Sequence, residues 1–145
     1  VASAVAARTS RMKIGIAVQV LPLCNPLRIA EEASTVDQLS HGRLIFGVGR
    51  SGVAKTYEAY NVPYAESKDR FAETLDIIEA SWANRPFSHK GKYSAFEDVT
   101  VTPRPFQPGG PPIRVAAKCT IRNSFQLGNC MATTSPGFKP SVSNA

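Results

Sequence analysis

The 145-residue sequence has few of the residue types that bind metals. It contains three cysteines, Cys24, Cys119 and Cys130, and no C-x-x-C pair. Its two histidines, His41 and His89, occur in unrelated segments. Because structural zinc sites need clustered ligands at short spacings, we predict that the chain binds no metal. An odd number of scattered cysteines also indicates reduced thiols and a cytoplasmic location.

Long hydrophobic runs and dense blocks of basic residues are absent as well. No apolar stretch approaches the roughly 18 residues of a membrane helix, and no signal-like leader opens the chain, so we expect neither a membrane span nor export. The sequence has 17 basic and 11 acidic residues, but the basic ones are scattered. This pattern indicates a surface that attracts small anions rather than one that binds nucleic acid.

What the sequence does contain is a strand–helix–strand pattern. Residues 12–20, MKIGIAVQV, form an apolar and β-branched run that predicts a strand covered on both faces. Asn25 and Pro26 suit the N-cap and first position of a helix, and Gly42 suits the position after its end. Residues 43–48, RLIFGV, predict a second buried strand, which should run parallel to the first.

Beyond this unit the sequence predicts a second helix, a hairpin and further strands. Ser67 suits a helix cap, and four apolar residues then recur along one helical face. They are Phe71, Leu75, Ile78 and Trp82. Residues 87–102 predict a hairpin, whereas residues 113–117, IRVAA, predict a third buried strand. A short strand is predicted at residues 130–134, and no regular element at residues 49–66.

Residues 47–52, GVGRSG, match the pattern G-x-G-x-x-G directly after the second strand. A dinucleotide-binding motif needs a helix that begins on the glycines. Since residues 53–62 show no clean helical stripe, we favour a different interpretation. Glycine N–H groups, the Arg50 guanidinium and the Ser51 hydroxyl together suit a phosphate. The alternative is a tight turn in which Arg50 pairs with a carboxylate.

The order of these segments resembles that of the luciferase-like flavin monooxygenases, the family of bacterial luciferase and its deazaflavin-using relatives. The most specific matches are VLP, NP, DQLSHGR and GVGR within residues 20–50. Further matches are RFAETLDIIEASW, FSHKGKYSAFEDVTVTPRPFQ and PPIRVAA. The resemblance covers about residues 8–117, whereas residues 118–145 match poorly.

The resemblance implies an α/β fold that is part of a (β/α)₈ TIM barrel with a β-hairpin insertion. Such barrels typically need about 250 residues, so residues 1–145 would form a single incomplete domain with about half of the barrel. Its first predicted strand corresponds to the third strand of the barrel, and the later ones to the fourth, fifth and sixth. The segment 118–145 would be a poorly matching tail.

The resemblance places FMN, or a deazaflavin coenzyme, at the carboxyl ends of the strands. Arg50 matches the arginine that binds the phosphate in the family. Its neighbours in the same loop are Gly49, Ser51 and Gly52. Ala17 and Val18 match a non-proline cis peptide beneath the flavin ring, with plain strand packing as the alternative. The second phosphate-binding loop falls on Lys118, Cys119, Thr120 and Arg122, which depart from the small residues usual there.

The implied function is that of a flavin-dependent monooxygenase, in which reduced flavin and O₂ oxygenate a small organic substrate. Hydride transfer through a deazaflavin, a non-catalytic flavin-binding subunit and an inactive truncated fragment remain alternatives. A flavin reductase is an expected partner, and the full-length parent is expected to be a homo-oligomer. No catalytic residue is assigned: His41 and His89 are not candidates, and Cys24 has no histidine partner in the sequence.

Overall fold

A sheet of mainly parallel strands with helices packed against it forms the centre of the fold. The computed structural model describes residues 1–83, 85–117 and 130–133. Its elements are α1 (Ala2–Arg8), β1 (Ile14–Gly15), β2 (Gln19–Val20), α2 (Pro26–Ser40), β3 (Leu44–Gly49), α3 (Ala54–Ala59), α4 (Ser67–Ser81), β4 (Phe87–Lys90), β5 (Ala95–Val99), β6 (Ile113–Ala117) and β7 (Cys130–Thr133). Short 3₁₀ helices lie at Leu21–Leu23 and Tyr64–Glu66.

The strand β3 lies in the middle of the sheet. Both β1 and β2 pair with it in parallel on one side, and β6 pairs with it in parallel on the other. The predicted parallel strand–helix–strand unit is therefore confirmed. The predicted single strand over residues 12–20 is wrong in one respect, because β1 and β2 are two short strands with residues 16–18 between them.

Local signals at both ends of α2 act as the sequence predicts. The Asn25 side chain accepts a hydrogen bond from the Arg28 backbone N–H at 3.1 Å, and Pro26 is the first helical residue. At the other end His41 and Gly42 both have positive φ angles, of 51° and 77°. This left-handed turn satisfies carbonyl groups of the last helical turn, as helix ends with glycine typically do.

The core joins α2, α4 and β3. The Trp82 ring meets the Phe46 ring edge to face, with centroids 5.9 Å apart, and its Nε1 donates to the Ala30 carbonyl at 3.3 Å. Burial of Ile78 and Trp82 confirms the predicted apolar face of α4. Ser67, however, is the first residue of α4 and makes no capping hydrogen bond, so its predicted capping role is wrong.

The structure also tests the sequence predictions for two further segments. The hairpin is confirmed, since β4 and β5 pair antiparallel. The expectation of no regular element over residues 49–66 is wrong, because it contains α3 and a 3₁₀ turn. The helix α3 has only six residues and a single buried side chain, Tyr57, which is too little to give a visible apolar stripe.

The last described strand departs from a barrel. The predicted strand near residues 130–134 is confirmed as β7, but β7 pairs antiparallel with β6, and Cys130 lies opposite Ala117. Strands of a (β/α)₈ barrel are all parallel. The assignment of this segment as the sixth barrel strand is therefore wrong, while the mixed α/β class is confirmed.

Candidate functional site

The carboxyl ends of β2, β3 and β6 lie side by side. A Cβ atom built on Gly49 would lie 2.8 Å from Cγ2 of Val18 and 3.6 Å from Cβ of Ala116. The structure therefore brings together two of the predicted site positions, Val18 and Gly49. The peptide bond between Ala17 and Val18 is cis, which confirms the prediction of a cis peptide there.

Two glycines of the GVGRSG segment allow this close approach. A Cβ atom on Gly47 would overlap the Ile16 carbonyl oxygen, and one on Gly49 would press on the Val18 side chain. Neither glycine has a positive φ angle. Close packing against residues 16–18 thus explains the two glycines of the G-x-G pattern. This explanation does not depend on what their N–H groups bind.

Arg50 follows the last residue of β3 and is partly exposed. Its Nη1 donates to the Ser67 hydroxyl at 2.8 Å, and its Cζ lies 5.7 Å from the centroid of the Tyr64 ring. Within residues 1–83 and 85–117, no carboxylate forms an ion pair with Arg50. In the described part of the chain, the alternative in which a carboxylate neutralises Arg50 is therefore wrong.

The loop after Arg50 is open. Ser51 has a φ angle of 63°, and its hydroxyl accepts a hydrogen bond from the Val53 N–H at 3.3 Å. Gly52 is exposed, and a Cβ atom built on it meets nothing within 4 Å. This open space lies one residue from the Arg50–Ser51 pair, so the predicted loop has room for an anionic ligand.

Tyr57 fixes the backbone of the arginine. Its hydroxyl donates a short hydrogen bond to the Arg50 carbonyl, and its ring meets the Tyr64 ring edge to face at 5.1 Å. Burial raises the pKa of Tyr57, although the nearby Arg50 charge and the Ser67 hydroxyl act in the opposite direction. Tyr57 therefore stays protonated at neutral pH and keeps its role as a donor.

Cys24, which the sequence leaves without a histidine partner, interacts with its own local neighbours. Gln19 donates to the Cys24 sulfur at 3.1 Å. Burial raises the pKa of the Cys24 thiol, the Gln19 hydrogen bond lowers it, and the Glu32 charge raises it. The net shift is upward and favours the protonated thiol, which is the less nucleophilic form. Lys118, Cys119, Thr120 and Arg122 lie outside the described residues.

A separate cavity of about 540 Å³ lies between the start of α1, α2 and the sheet. Ile16, Ile29, Val36 and Phe46 contribute apolar walls, and the cavity contains none of the predicted cofactor-binding residues. In the part of the chain that the structure describes, no three His, Cys, Asp or Glu side chains are grouped as metal ligands. The helices there are also too short or too polar to cross a membrane.

Sequence reasoning missed the residues that surround Arg50. Ser67 is 17 residues away along the chain, and Tyr57 and Tyr64 lie in a segment that shows no regular pattern. The one signal available in the sequence was Ser67 itself, a polar residue at a predicted helix start.

Comparison with known proteins identifies similar chains. Residues 1–121 match the family model described as luciferase-like monooxygenase. The F420-dependent glucose-6-phosphate dehydrogenase of Kineococcus radiotolerans is 38% identical over 117 residues, which are 78% of this chain and 34% of that protein. The oxygenase component of the flavin-dependent trigonelline monooxygenase of Acinetobacter baylyi is 30% identical over 133 residues, 89% of this chain and 36% of that protein.

A solved structure agrees with these sequence matches. Monooxygenase RslO1 from Streptomyces bottropensis superposes with a TM-score of 0.78 at 31% identity, over 81% of this chain and 36% of that one. Together these comparisons associate the chain with both flavin-dependent and F420-dependent proteins. The chain spans about a third of the length of the curated relatives it matches.

Proposed function

The chain belongs to the luciferase-like monooxygenase family, and from this premise we propose that it forms the phosphate-binding part of a flavin-dependent oxidoreductase. The proposed cofactor is FMN, with the deazaflavin F420 as the alternative. One observation carries the proposal: the Arg50 guanidinium stands at the carboxyl end of a parallel strand, and Ser67 is its hydrogen-bond partner among the described residues. The other guanidinium N–H groups of Arg50 therefore suit phosphate oxygens.

The proposed roles follow from position. Arg50 would donate to the cofactor phosphate, and Ser51 and Gly52 would supply a hydroxyl and open space beside it. Ala17, Val18 and Gly49 would support the ring, since Val18 and Gly49 are in contact next to the cis peptide. Lys118, Cys119 and Thr120, which follow β6, would complete the phosphate site.

The reaction that we propose is oxygenation of a small organic substrate with O₂. When bound, the flavin supplies the redox chemistry, and the protein binds it, orients it and excludes water. The name of the Acinetobacter baylyi relative, an oxygenase component, supports a separate flavin reductase as partner. The F420-dependent relative supports the second candidate, hydride transfer through a deazaflavin. A non-catalytic flavin-binding role is compatible with the same residues.

For the whole protein we propose a (β/α)₈ barrel, of which this chain would be an incomplete part with a hairpin inserted before β6. The parallel order of β1, β3 and β6 supports this, and β7 marks where the described fold departs from it. A cytoplasmic homo-oligomer is the proposed state of the parent, and substrate-dependent O₂ uptake by that parent would separate the oxygenase from a non-catalytic subunit.

The test of the phosphate site is a comparison of FMN with riboflavin, which lacks the phosphate. Arg50→Ala should weaken FMN binding by about ten- to a hundredfold, the loss expected for hydrogen bonds to a charged group. Riboflavin binding should not change. Fluorescence titration of the 145-residue chain gives both dissociation constants.

Arg28→Ala is the matched control, because it removes the same charge from an exposed arginine on α2. Equal FMN affinity in Arg50→Ala and Arg28→Ala would overturn the role of Arg50.

A further inference from the structure

We propose that Ser67 is a positioning residue that aims the Arg50 guanidinium at the phosphate; this rests on the proposed function. Ser67 is the first residue of α4 and only 1% exposed. Its hydroxyl accepts a hydrogen bond from Arg50 Nη1 at 2.8 Å. Because it is buried, Ser67 acts on a ligand through Arg50 and not by direct contact.

The group that accepts the hydrogen bond from Arg50 is a neutral hydroxyl, and this determines the net charge beside a bound ligand. A carboxylate in place of Ser67 would form an ion pair and cancel the positive charge of Arg50. The hydroxyl holds one N–H of the guanidinium but leaves its charge in full. The guanidinium has five N–H donors, so the rest of its planar fork remains available to an anion.

Arg50 is also held at its other end and on one face. The Tyr57 hydroxyl donates to the Arg50 carbonyl, and the Tyr64 ring lies beside the guanidinium. A free arginine side chain loses rotamer freedom when it is fixed in one position. The contacts of the guanidinium with Ser67 and Tyr64 already restrict the side chain in the folded protein, so phosphate binding costs less rotamer freedom.

The experiment measures the ratio of the riboflavin to the FMN dissociation constant in the full chain. Ser67→Ala should lower this preference for FMN about three- to tenfold, the effect of one neutral hydrogen bond. Ser67→Thr keeps the hydroxyl and should restore the preference. Ser67→Asp should reduce it to the level of Arg50→Ala, because the new carboxylate neutralises the guanidinium.

Ser81→Ala is the matched control. Ser81 is a buried serine at the opposite end of the same helix, and its hydroxyl donates to the Ile78 carbonyl at 2.7 Å. Its removal should leave the FMN preference unchanged. If Ser67→Ala does not fold, Ser67→Cys has nearly the same shape with a weaker acceptor and should give the same loss.

The outcomes separate the two proposals. If Arg50→Ala loses the FMN preference and Ser67→Ala keeps it, the positioning role is wrong and the proposed function stands. Equal losses in Ser67→Ala and Ser81→Ala would mean a merely structural effect, which also overturns the positioning role. If the unchanged chain shows no preference for FMN over riboflavin, the proposed function is wrong, and with it the role of Ser67.

Discussion

Residue 47 must be glycine because the neighbouring chain segment leaves no room for a side chain, and not because of its own backbone conformation. Its φ angle is ordinary, but a side chain there would overlap the Ile16 carbonyl oxygen, a backbone atom that has little room to move. Asp37 and Arg43 of the DQLSHGR motif also have structural roles, which rest on hydrogen bonds. Asp37 accepts two hydrogen bonds from Gln107, and all five N–H groups of Arg43 donate to neighbouring oxygen atoms.

We expect Gly47→Ala to lower the free energy of unfolding by about 1–3 kcal/mol, the usual cost of overpacking a core. Gly52→Ala is the control from the same motif, because its new methyl group meets nothing within 4 Å. It should change stability by less than about 0.5 kcal/mol. Urea unfolding followed by tryptophan fluorescence measures both, and equal midpoints for the two variants would contradict the packing explanation.

At the scale of elements, one carboxylate attaches the hairpin to α4. Glu73, which is 13% exposed, accepts hydrogen bonds from the backbone N–H groups of Lys92, Tyr93 and Ser94 in the turn between β4 and β5. Burial alone would raise the pKa of Glu73, but these hydrogen bonds, with a further contribution from His89, outweigh burial and hold the pKa below its ordinary value.

A pKa that is lower in the folded state makes this attachment sensitive to acid. The contribution of Glu73 to stability is complete well above its ordinary pKa of 4.5 and is lost as the pH falls through the lowered folded value. Glu73→Gln should cost about 1–3 kcal/mol at pH 7. The difference from the unchanged chain should shrink toward pH 3.

Urea midpoints measured at each pH test this expectation. Glu58→Gln, at an exposed glutamate on α3, should show no such pH-dependent difference. A difference for Glu73→Gln that stays constant from pH 7 to pH 3 would contradict the linkage.

At the scale of the whole molecule, β7 is the outermost described strand on one side of the sheet. It pairs with the side of β6 that does not face β3, so the backbone groups of β6 have partners on both sides. Unpaired sheet edges favour association with other chains. The strand β7 therefore has a physical role even though it is not the parallel strand of a barrel.

A chain that ends at residue 129 should self-associate more than the full chain, because the five-residue strand β6 then replaces the four-residue strand β7 as the edge of the sheet. A chain that ends at residue 134 keeps β7 and is the control. Size-exclusion chromatography with light scattering measures the oligomer fraction of each. If both truncated chains behave alike, β7 does not protect this edge.

Much of the local structure could be predicted because its signals lie within a few residues. The N-cap at Asn25, the turn at Gly42 and the nearly continuous burial of β3 follow from signals carried by near neighbours. The position of Arg50 after β3 could be predicted for the same reason. By contrast, α3 escaped prediction because a six-residue helix with one buried side chain has too short a pattern.

The sequence by itself determined where the main strands and helices form, and that an arginine and a serine follow the central strand. Only the tertiary structure decided what surrounds that arginine, because Ser67 reaches it across 17 residues of chain. The antiparallel direction of β7 was decided in the same way, by pairing with a distant strand. Local backbone preferences act over one or two turns, whereas such contacts depend on how whole elements pack.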